Sequence, residues 1–306
     1  MSNEMSIIFL GTSSAPPQST RKQSAIVIKY KNHTLLFDVG EATQYQMIDQ
    51  KIKFTKLTII LTHLHSDHTL GLMGLLITRN FRNIKTPITI IGPAWTSNFV
   101  SLLFLAYRFK PEYEVKIIET SGGNILENKD FILDSFPITH SDTSFGYRLV
   151  TKPKKRKFNV EKATEMNVPR GEMWKKLQNG ISVEIDGKTI SPSDVLDKVE
   201  ENNLKIVITG DTPFDEKVIE FAKNADLLIH DATYPPYEEE RAKKYLHSTC
   251  IDAAQVAKKA KVKRLIMTHI SELHKNLEES LRDSREIFSD CEFAEDGLRI
   301  ELKPKD

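Results

Sequence analysis

Five short apolar segments of this 306-residue chain each lead into a histidine or an aspartate. The segments are rich in β-branched residues, which is typical of buried strands. Strands of one sheet place their carboxyl ends along a common edge, so we expect these polar side chains to converge although they lie far apart in the chain. The pattern predicts an α/β fold with a functional site at a sheet edge. The five segments are Leu57–Leu61 before His63, Ile138–Thr139 before His140, Ile208–Gly210 before Asp211, Leu228–Ile229 before His230 and Asp231, and Met267–Thr268 before His269.

The first of these segments leads into a dense group of metal-binding residue types. Three of the nine histidines, His63, His65 and His68, fall within six consecutive positions, and Asp67 lies among them. From a regular helix or strand these side chains cannot all reach one ion, whereas a tight loop can divide them between two ions. The alternative is a polar surface loop that is rich in histidine by chance, and the clustering argues against it.

The chemistry of these residues predicts a site for two metal ions. Imidazole and carboxylate ligands suit zinc, with manganese or iron as alternatives. Two ions need a bridging carboxylate, and such a pair serves the hydrolysis of phosphate esters by lowering the pKa of a shared water towards about 7. We expect Asp67 to orient the resulting hydroxide and to accept its proton. The predicted ligands are His63, His65 and His140 for one ion, Asp67, His68 and His269 for the other, and Asp211 as the bridge.

A second histidine–carboxylate pair, His247 and Asp231, predicts a general acid. A carboxylate holds an imidazole in orientation and favours its protonated form. His247 precedes a helix start at which Thr249 and Asp252 fit a capping box. The positive amino end of that helix opposes a proton on His247, and the Asp231 carboxylate would offset this effect. We therefore predict that His247 protonates a leaving oxygen. A structural histidine at a helix start is the alternative.

The start of the chain predicts an antiparallel arrangement. Ser6–Leu10, Ala25–Tyr30 and Thr34–Phe37 are candidate strands with links too short for crossover helices. Apolar spacing predicts a helix over Glu41–Lys51 and another over Leu70–Asn80.

We expect Asp38 to hydrogen-bond a ligating histidine. We expect His274 to be exposed to solvent.

A basic stretch interrupts the strand-and-helix pattern after residue 151. The whole chain has a formal net charge of +1, so a nucleic-acid partner needs a local basic patch. From Lys152 to Lys176 nine basic and three acidic residues give +6, which favours phosphate contacts. A solvated basic face without a ligand is the alternative. The candidate RNA-binding residues are Lys154, Lys155, Arg156, Lys157, Arg170, Lys175 and Lys176.

Composition restricts the cellular setting. Hydrophobic residues make up 40% and charged residues 28% of the chain, which is ordinary for a globular protein. The two cysteines, Cys250 and Cys291, form neither a zinc-type pair nor a disulfide framework, which favours a reducing, cytoplasmic location. The apolar stretch near Ile7 is short and lacks a basic flank, so we expect a first strand and not a signal peptide. No segment approaches the length that spans a bilayer.

The order of ligand types, His-x-His-x-Asp-His followed by His140, Asp211 and His269, resembles the metallo-β-lactamase superfamily. The resemblance extends over essentially the whole chain to its ribonuclease Z family, which processes tRNA 3′ ends; the most specific matching pieces are Gly40–Gln44, His230–Thr233 and His247–Thr249. It implies an αββα sandwich, a homodimer, two zinc ions per subunit and the roles given above for Asp67 and His247. It also implies that the basic stretch is an arm that grips the tRNA elbow.

The chain departs from the family pattern at five positions. The family usually has Gly at the position of Ser66, Pro at Met73, Glu at Asp231, Asn at Lys22 and Arg at Leu273. The shorter carboxylate of Asp231 can still pair with His247. The changes at Lys22 and Leu273 concern how the tRNA 3′ end is bound and leave the metal ligands intact.

These observations predict a zinc-dependent endoribonuclease that removes 3′ trailers from tRNA precursors, leaving a tRNA 3′-hydroxyl and a trailer 5′-phosphate. Residues 1–151 and 197–306 would form the catalytic domain, with residues 152–196 inserted as the tRNA-binding arm. The expected partners are precursor tRNA and a second copy of the chain, with no membrane. A phosphodiesterase acting on cyclic nucleotides or other small esters is one alternative, and an inactive RNA-binding partner is another.

Overall fold

The computed structural model describes residues 4–141, 143–152, 158–196 and 203–303. These residues form two compact units, the first within 4–150 and 204–303 and the second within 151–196 together with 203. Across the described ranges, every helix is too short or too polar to cross a membrane.

The first unit contains one sheet that, within the described residues, has seven strands: β1 (Met5–Gly11), β2 (Ala25–Tyr30), β3 (His33–Phe37), β4 (Leu57–Ile60), β5 (Ile88–Gly92), β6 (Val115–Glu119) and β16 (Arg299–Leu302). Their spatial order is β16-β1-β2-β3-β4-β5-β6. β1, β2 and β3 are antiparallel neighbours, which confirms the prediction from their short links. From β3 to β6 the strands are parallel, so the carboxyl ends of β3 and β4 lie at one edge.

The second sheet has the same number of strands in the described part of the chain: β7 (Gly123–Glu127), β8 (Phe131–Pro137), β9 (Phe145–Thr151), β12 (Lys205–Ile208), β13 (Leu227–Asp231), β14 (Leu265–Thr268) and β15 (Cys291–Phe293). Their order is β15-β14-β13-β12-β9-β8-β7. β12 to β15 run parallel, and most residues of β12, β13 and β14 are apolar and buried, as expected for strands buried on both faces. Their carboxyl ends therefore share one edge.

Three hydrophobic clusters show that the first unit is an αββα sandwich, as predicted. Side chains such as Phe9 and Ile229 fill the space between the two sheets. Leu75 and Val100 pack from helices onto the outer face of the first sheet, and Ala254 packs onto that of the second. The helices of this unit are α1 (Thr43–Asp49), α2 (Ser66–Thr69), α3 (Leu72–Phe81), α4 (Thr96–Ala106), α8 (Glu216–Ala222), α9 (Glu239–Tyr245), α10 (Cys250–Ala260) and α11 (Leu277–Ile287).

Several predicted boundaries shift in the structure. The helix expected over Glu41–Lys51 is the shorter α1, which begins after Ala42 in a left-handed conformation (φ 67°). The helix expected over Leu70–Asn80 is α3, Leu72–Phe81. The capping box predicted for Thr249 and Asp252 is present at the start of α10, since it depends only on neighbouring residues.

The second unit has a small core of its own. It contains α5 (Val160–Glu165), α6 (Glu172–Gln178), the antiparallel hairpin of β10 (Val183–Ile185) and β11 (Lys188–Ile190), and α7 (Pro192–Val195). Ala163, Leu177 and Val195 are fully buried within it. This segment is thus a folded insertion with an apolar centre.

Candidate metal centre

The seven predicted ligands lie at one edge of the first unit, where strands of both sheets end. His63, His65, Asp67 and His68 follow β4 of the first sheet, and His140, Asp211 and His269 follow β8, β12 and β14 of the second. The expectation that one sheet supplies the whole site was therefore wrong. The two sheets face each other across a shared core, so both can contribute carboxyl ends. Asp67 and His68 lie on the one-turn helix α2, while the other two motif residues precede it.

One cluster combines His63, His65 and His140. One possible ligand atom from each residue lies within 4.8 Å of the other two. His140 Nε2 and His65 Nδ1 are 3.2 Å apart, within hydrogen-bond distance. His63 is completely buried, and its Nε2 has no hydrogen-bond partner among the described residues.

A second cluster combines Asp67, His68, Asp211 and His269. All four are buried, and their ligand atoms also lie within 4.8 Å of one another. His269 Nε2 is 3.1 Å from Asp67 Oδ2 and 3.3 Å from His68 Nε2. His269 directly follows β14 with φ 62°, a left-handed conformation that is uncommon for residues other than glycine.

Asp211 belongs to the second cluster and also approaches the first. Its Oδ2 is 3.7 Å from Nε2 of both His63 and His140. The same oxygen is 3.2 Å from Nε2 of His68 and 3.4 Å from that of His269. A bridging carboxylate requires this position.

The residues fit a divalent metal. Nitrogen and carboxylate oxygen donors are the ligands of zinc and related ions. The unpartnered Nε2 of buried His63 would otherwise carry a desolvation cost, because buried polar atoms are normally hydrogen-bonded. Ion binding would satisfy it.

Hydrogen bonds to the far side of the rings explain why Nε2 atoms converge. His68 Nδ1 is 2.8 Å from Asp38 Oδ2, as predicted for Asp38. His63 Nδ1 is 3.0 Å from the Thr62 hydroxyl. The His269 ring is held by Thr233 Oγ1, which lies 2.8 Å from its Nδ1. The His140 ring is held by the Leu246 carbonyl, which lies 2.9 Å from its Nδ1. Outer partners of this kind fix ring orientation at metal sites.

The electrostatics of the site also favour a cation. Burial would raise the pKa of Asp67, but hydrogen bonds with His269 and His68 outweigh it and hold that pKa far below its ordinary range. Burial likewise opposes the charged form of Asp211, yet His269 and His68 hold its pKa well below the usual value. Burial, together with the neighbouring charge of His68, keeps the pKa of His63 well below 6.5. The carboxylates thus stay ionised in a buried place that needs positive charge.

His247 and Asp231 form a close pair beside the second cluster. His247 Nδ1 lies 2.8 Å from Asp231 Oδ2, and Asp231 is fully buried. The His247 ring stacks on that of His269, with centroids 5.3 Å apart, and its side chain keeps 13% of its surface exposed. Burial opposes protonation of His247, but the Asp231 charge and hydrogen bond raise its pKa to about 9.

Sequence reasoning missed three positions that organise the site. Thr62 and Thr233 place hydroxyls between aspartates and ring nitrogens. Leu246 adopts φ 57° and ψ 47° at the end of α9, so its carbonyl reaches His140 while His247 follows. The roles of Thr62 and Thr233 could have been predicted, because both residues lie next to motif residues. The role of the Leu246 carbonyl could not, because a backbone carbonyl has no sequence pattern of its own.

The expectation that His274 is exposed was wrong. His274 is 9% exposed, and its Nε2 lies 3.1 Å from the carbonyl of Ala232 while Nδ1 lies 3.3 Å from Ser280 Oγ. Burial lowers its pKa to about 4, against the opposing effect of the Ala232 carbonyl. The ring joins the loop after His269 to the strand end that carries Asp231.

The described basic candidates of the second unit are on its surface. Arg170, Lys175 and Lys176 are exposed, and the Arg170 guanidinium lies 5.3 Å from the centre of the Trp174 ring. Lys154, Lys155, Arg156 and Lys157 lie outside the described residues.

Comparison with solved structures defines the class. A metallo-β-lactamase fold protein from Bacillus subtilis matches with a TM-score of 0.70 at 19% identity, covering 98% of this chain and 100% of the other. The short form of human tRNase Z matches with a TM-score of 0.68 at 25% identity over 96% and 98% of the two chains. This is a metallo-β-lactamase fold whose His/Asp clusters fit divalent metal.

Sequence relatives narrow the class to one family. The ribonuclease Z of Methanosarcina mazei is 38% identical over 298 residues, 97% of each chain. That of Nitrosopumilus maritimus is 36% identical over 300 residues, 98% of this chain and 100% of the other. The chain belongs to the ribonuclease Z family. A family model described as anti-Pycsar protein Apyc1 matches residues 5–102 only.

Proposed function

We propose that this chain is a zinc-dependent endoribonuclease that removes 3′ trailers from tRNA precursors. The observation that carries the proposal is the Asp231–His247 pair beside the His269 cluster, since it adds a proton donor to a hydrolytic site. The family relationship supplies the substrate class.

The seven residues of the two clusters would hold two ions, with Asp211 shared between them. When bound, such ions lower the pKa of water and stabilise charge on phosphoryl oxygens. The Asp67 carboxylate is ionised and lies at the edge of the second cluster. It orients the attacking water and accepts its proton. Asp38, Thr62, Thr233 and the Leu246 carbonyl hold the rings in place.

His247 protonates the 3′-oxygen that leaves the phosphorus. The His247 side chain keeps 13% of its surface exposed, so a bulky substrate can reach it. Asp231 holds Nδ1 and directs Nε2 outward. Cleavage of the P–O3′ bond then yields a tRNA 3′-hydroxyl and a trailer 5′-phosphate.

The basic insertion would supply affinity for tRNA. Arg170, Lys175 and Lys176 are exposed lysine and arginine side chains that suit phosphate contacts, which give affinity and salt dependence with little base readout. We propose the whole stretch 152–196 as the tRNA-binding arm. We also propose a homodimer, which the exposed apolar side chains Trp95, Leu102 and Leu105 at α4 support. We propose a cytoplasmic location, which the two free cysteines support.

A labelled precursor tRNA with a 3′ trailer tests the function. We expect a single cut that releases a tRNA with a 3′-hydroxyl and a trailer with a 5′-phosphate, with activity lost after chelation and restored by zinc. Cleavage at scattered positions, or products with a 2′,3′-cyclic phosphate, would contradict the proposal. Hydrolysis of a small aryl phosphodiester with no cut in the precursor would favour a small-ester phosphodiesterase.

A further inference from the structure

The Thr233 hydroxyl occupies a junction between the metal cluster and the acid pair. Its Oγ1 lies 2.6 Å from Asp231 Oδ1, 2.8 Å from His269 Nδ1 and 3.2 Å from His247 Nδ1. Thr233 is 3% exposed, so water does not compete for these contacts. One hydroxyl thus touches a carboxylate, a predicted metal ligand and the predicted acid.

Counting donors and acceptors fixes the direction of these bonds. Asp231 also accepts hydrogen bonds from the backbone N–H groups of Thr212, Thr233 and Ser248. A carboxylate used in this way only accepts, so the single Thr233 proton is donated to Oδ1, and 2.6 Å is the length of a charge-assisted O–H···O⁻ bond. The Thr233 oxygen is then left with lone pairs alone. His269 Nδ1 must carry a hydrogen to bond to it.

We propose that Thr233 is a positioning residue that holds the ring hydrogen of His269 on Nδ1, so that Nε2, which lies 3.1 Å from Asp67 Oδ2, is the nitrogen left to bind a metal, and that links this ligand to Asp231 and His247. The inference rests on the metal-dependent function proposed above. Thr233 acts through His269, Asp231 and His247. The same carboxylate that orients His247 thereby also sets the ligand tautomer, through one hydroxyl.

The other half of the sandwich repeats the arrangement, which supports the inference independently. The Thr62 hydroxyl lies 2.9 Å from Asp38 Oδ2 and 3.0 Å from His63 Nδ1. Asp38 also accepts from the Thr62 backbone N–H at 2.8 Å and from His68 Nδ1 at 2.8 Å. Each half thus contains a threonine that donates to a buried aspartate and accepts from a ligand histidine. The aspartate's second histidine is His68 in one half and His247 in the other.

The tautomer itself can be measured without changing Thr233. In the zinc-loaded wild-type protein, long-range ¹H–¹⁵N correlation of the imidazole rings, assigned with single histidine substitutions, reports which nitrogen carries hydrogen. We expect Nδ1 of His269 and of His63 to be protonated, although free neutral imidazole side chains favour hydrogen on Nε2. An Nδ1 without hydrogen on His269 would overturn the proposal.

Variants then test the consequence for metal binding. Thr233→Val removes the hydroxyl at nearly constant volume, and we expect zinc affinity, measured by competition with a chromophoric chelator, to fall about 10- to 100-fold. Thr233→Ser keeps the hydroxyl and should bind zinc within about threefold of wild type. Equal affinity for the valine and serine variants would overturn the proposal. If Thr233→Val does not fold, the tautomer measurement on the wild type still decides.

The Thr62 variants serve as the matched control. Thr62→Val should lower zinc affinity to a similar degree, because it frees His63, but it leaves the Asp231–His247 hydrogen bond intact. We therefore expect Thr233→Val to lower kcat at saturating zinc by more than Thr62→Val does. Equal kcat for the two would contradict the link to His247. Since zinc affinity and tautomer are read without RNA, a protein that fails to cut precursor tRNA would refute the proposed function and leave this inference open to its own test.

Discussion

Replacing His274 by glutamine should remove a specific pH dependence from the stability of the protein. The His274 ring is buried between Ala232, Ser280 and Phe293 and is held neutral, with its pKa lowered to about 4 by burial. In the unfolded chain the ring takes up a proton near its ordinary pKa of about 6.5. Acidification therefore favours unfolding, because the unfolded state binds the proton first.

The magnitude follows from the two pKa values. Stability linked to His274 is fully present above pH 6.5 and is lost as the pH falls towards 4. The cost reaches about 2 kcal/mol at pH 5 and about 3.4 kcal/mol well below pH 4. Glutamine can still donate to the Ala232 carbonyl but does not titrate. The wild type should thus lose about 2 kcal/mol more than His274→Gln between pH 7 and pH 5.

Urea unfolding followed by circular dichroism measures this difference, with both proteins metal-free so that ligand protonation affects them equally. Phe293→Leu is the matched control: it loosens the edge-to-face contact with His274, whose ring centroid lies 5.4 Å away, but keeps the titrating group. Its stability should stay a constant amount below wild type at both pH values. A gap between wild type and His274→Gln that is the same at pH 7 and pH 5 would refute the buried neutral ring.

Three further outcomes concern function. His247→Ala should lower turnover about 10²–10⁴-fold with unchanged zinc content by elemental analysis; loss of zinc would show that His247 is a ligand. Reversing Lys175 and Lys176 to glutamate should weaken precursor tRNA binding but leave hydrolysis of a small aryl phosphodiester unchanged, with Glu165→Gln as control; equal loss on both substrates would make the segment structural. Raising salt from ~50 to ~200 mM should weaken tRNA binding steeply, and a flat response would argue against phosphate contacts.

Features set by neighbouring residues were predictable from the sequence. The antiparallel pairing of β2 and β3 follows from a two-residue link, which is too short for a crossover. The capping box at Thr249 depends on a residue three positions away. The ligand candidates were visible because apolar segments end directly before them. Asp38 was also expected to hydrogen-bond a ligating histidine, and the structure shows that this histidine is His68, at 2.8 Å.

Only the tertiary structure decided how distant segments meet. It divided the ligand-bearing strands between two sheets, brought the Leu246 carbonyl to His140, and buried His274 against Ala232. It also placed the Thr233 hydroxyl between Asp231 and His269. Neighbouring residues determine which side chain stands at the end of a strand, because the alternation of side chains along a strand and the following turn are local features. Which neighbour that side chain meets depends on sheet pairing and core packing, which join residues far apart in the chain.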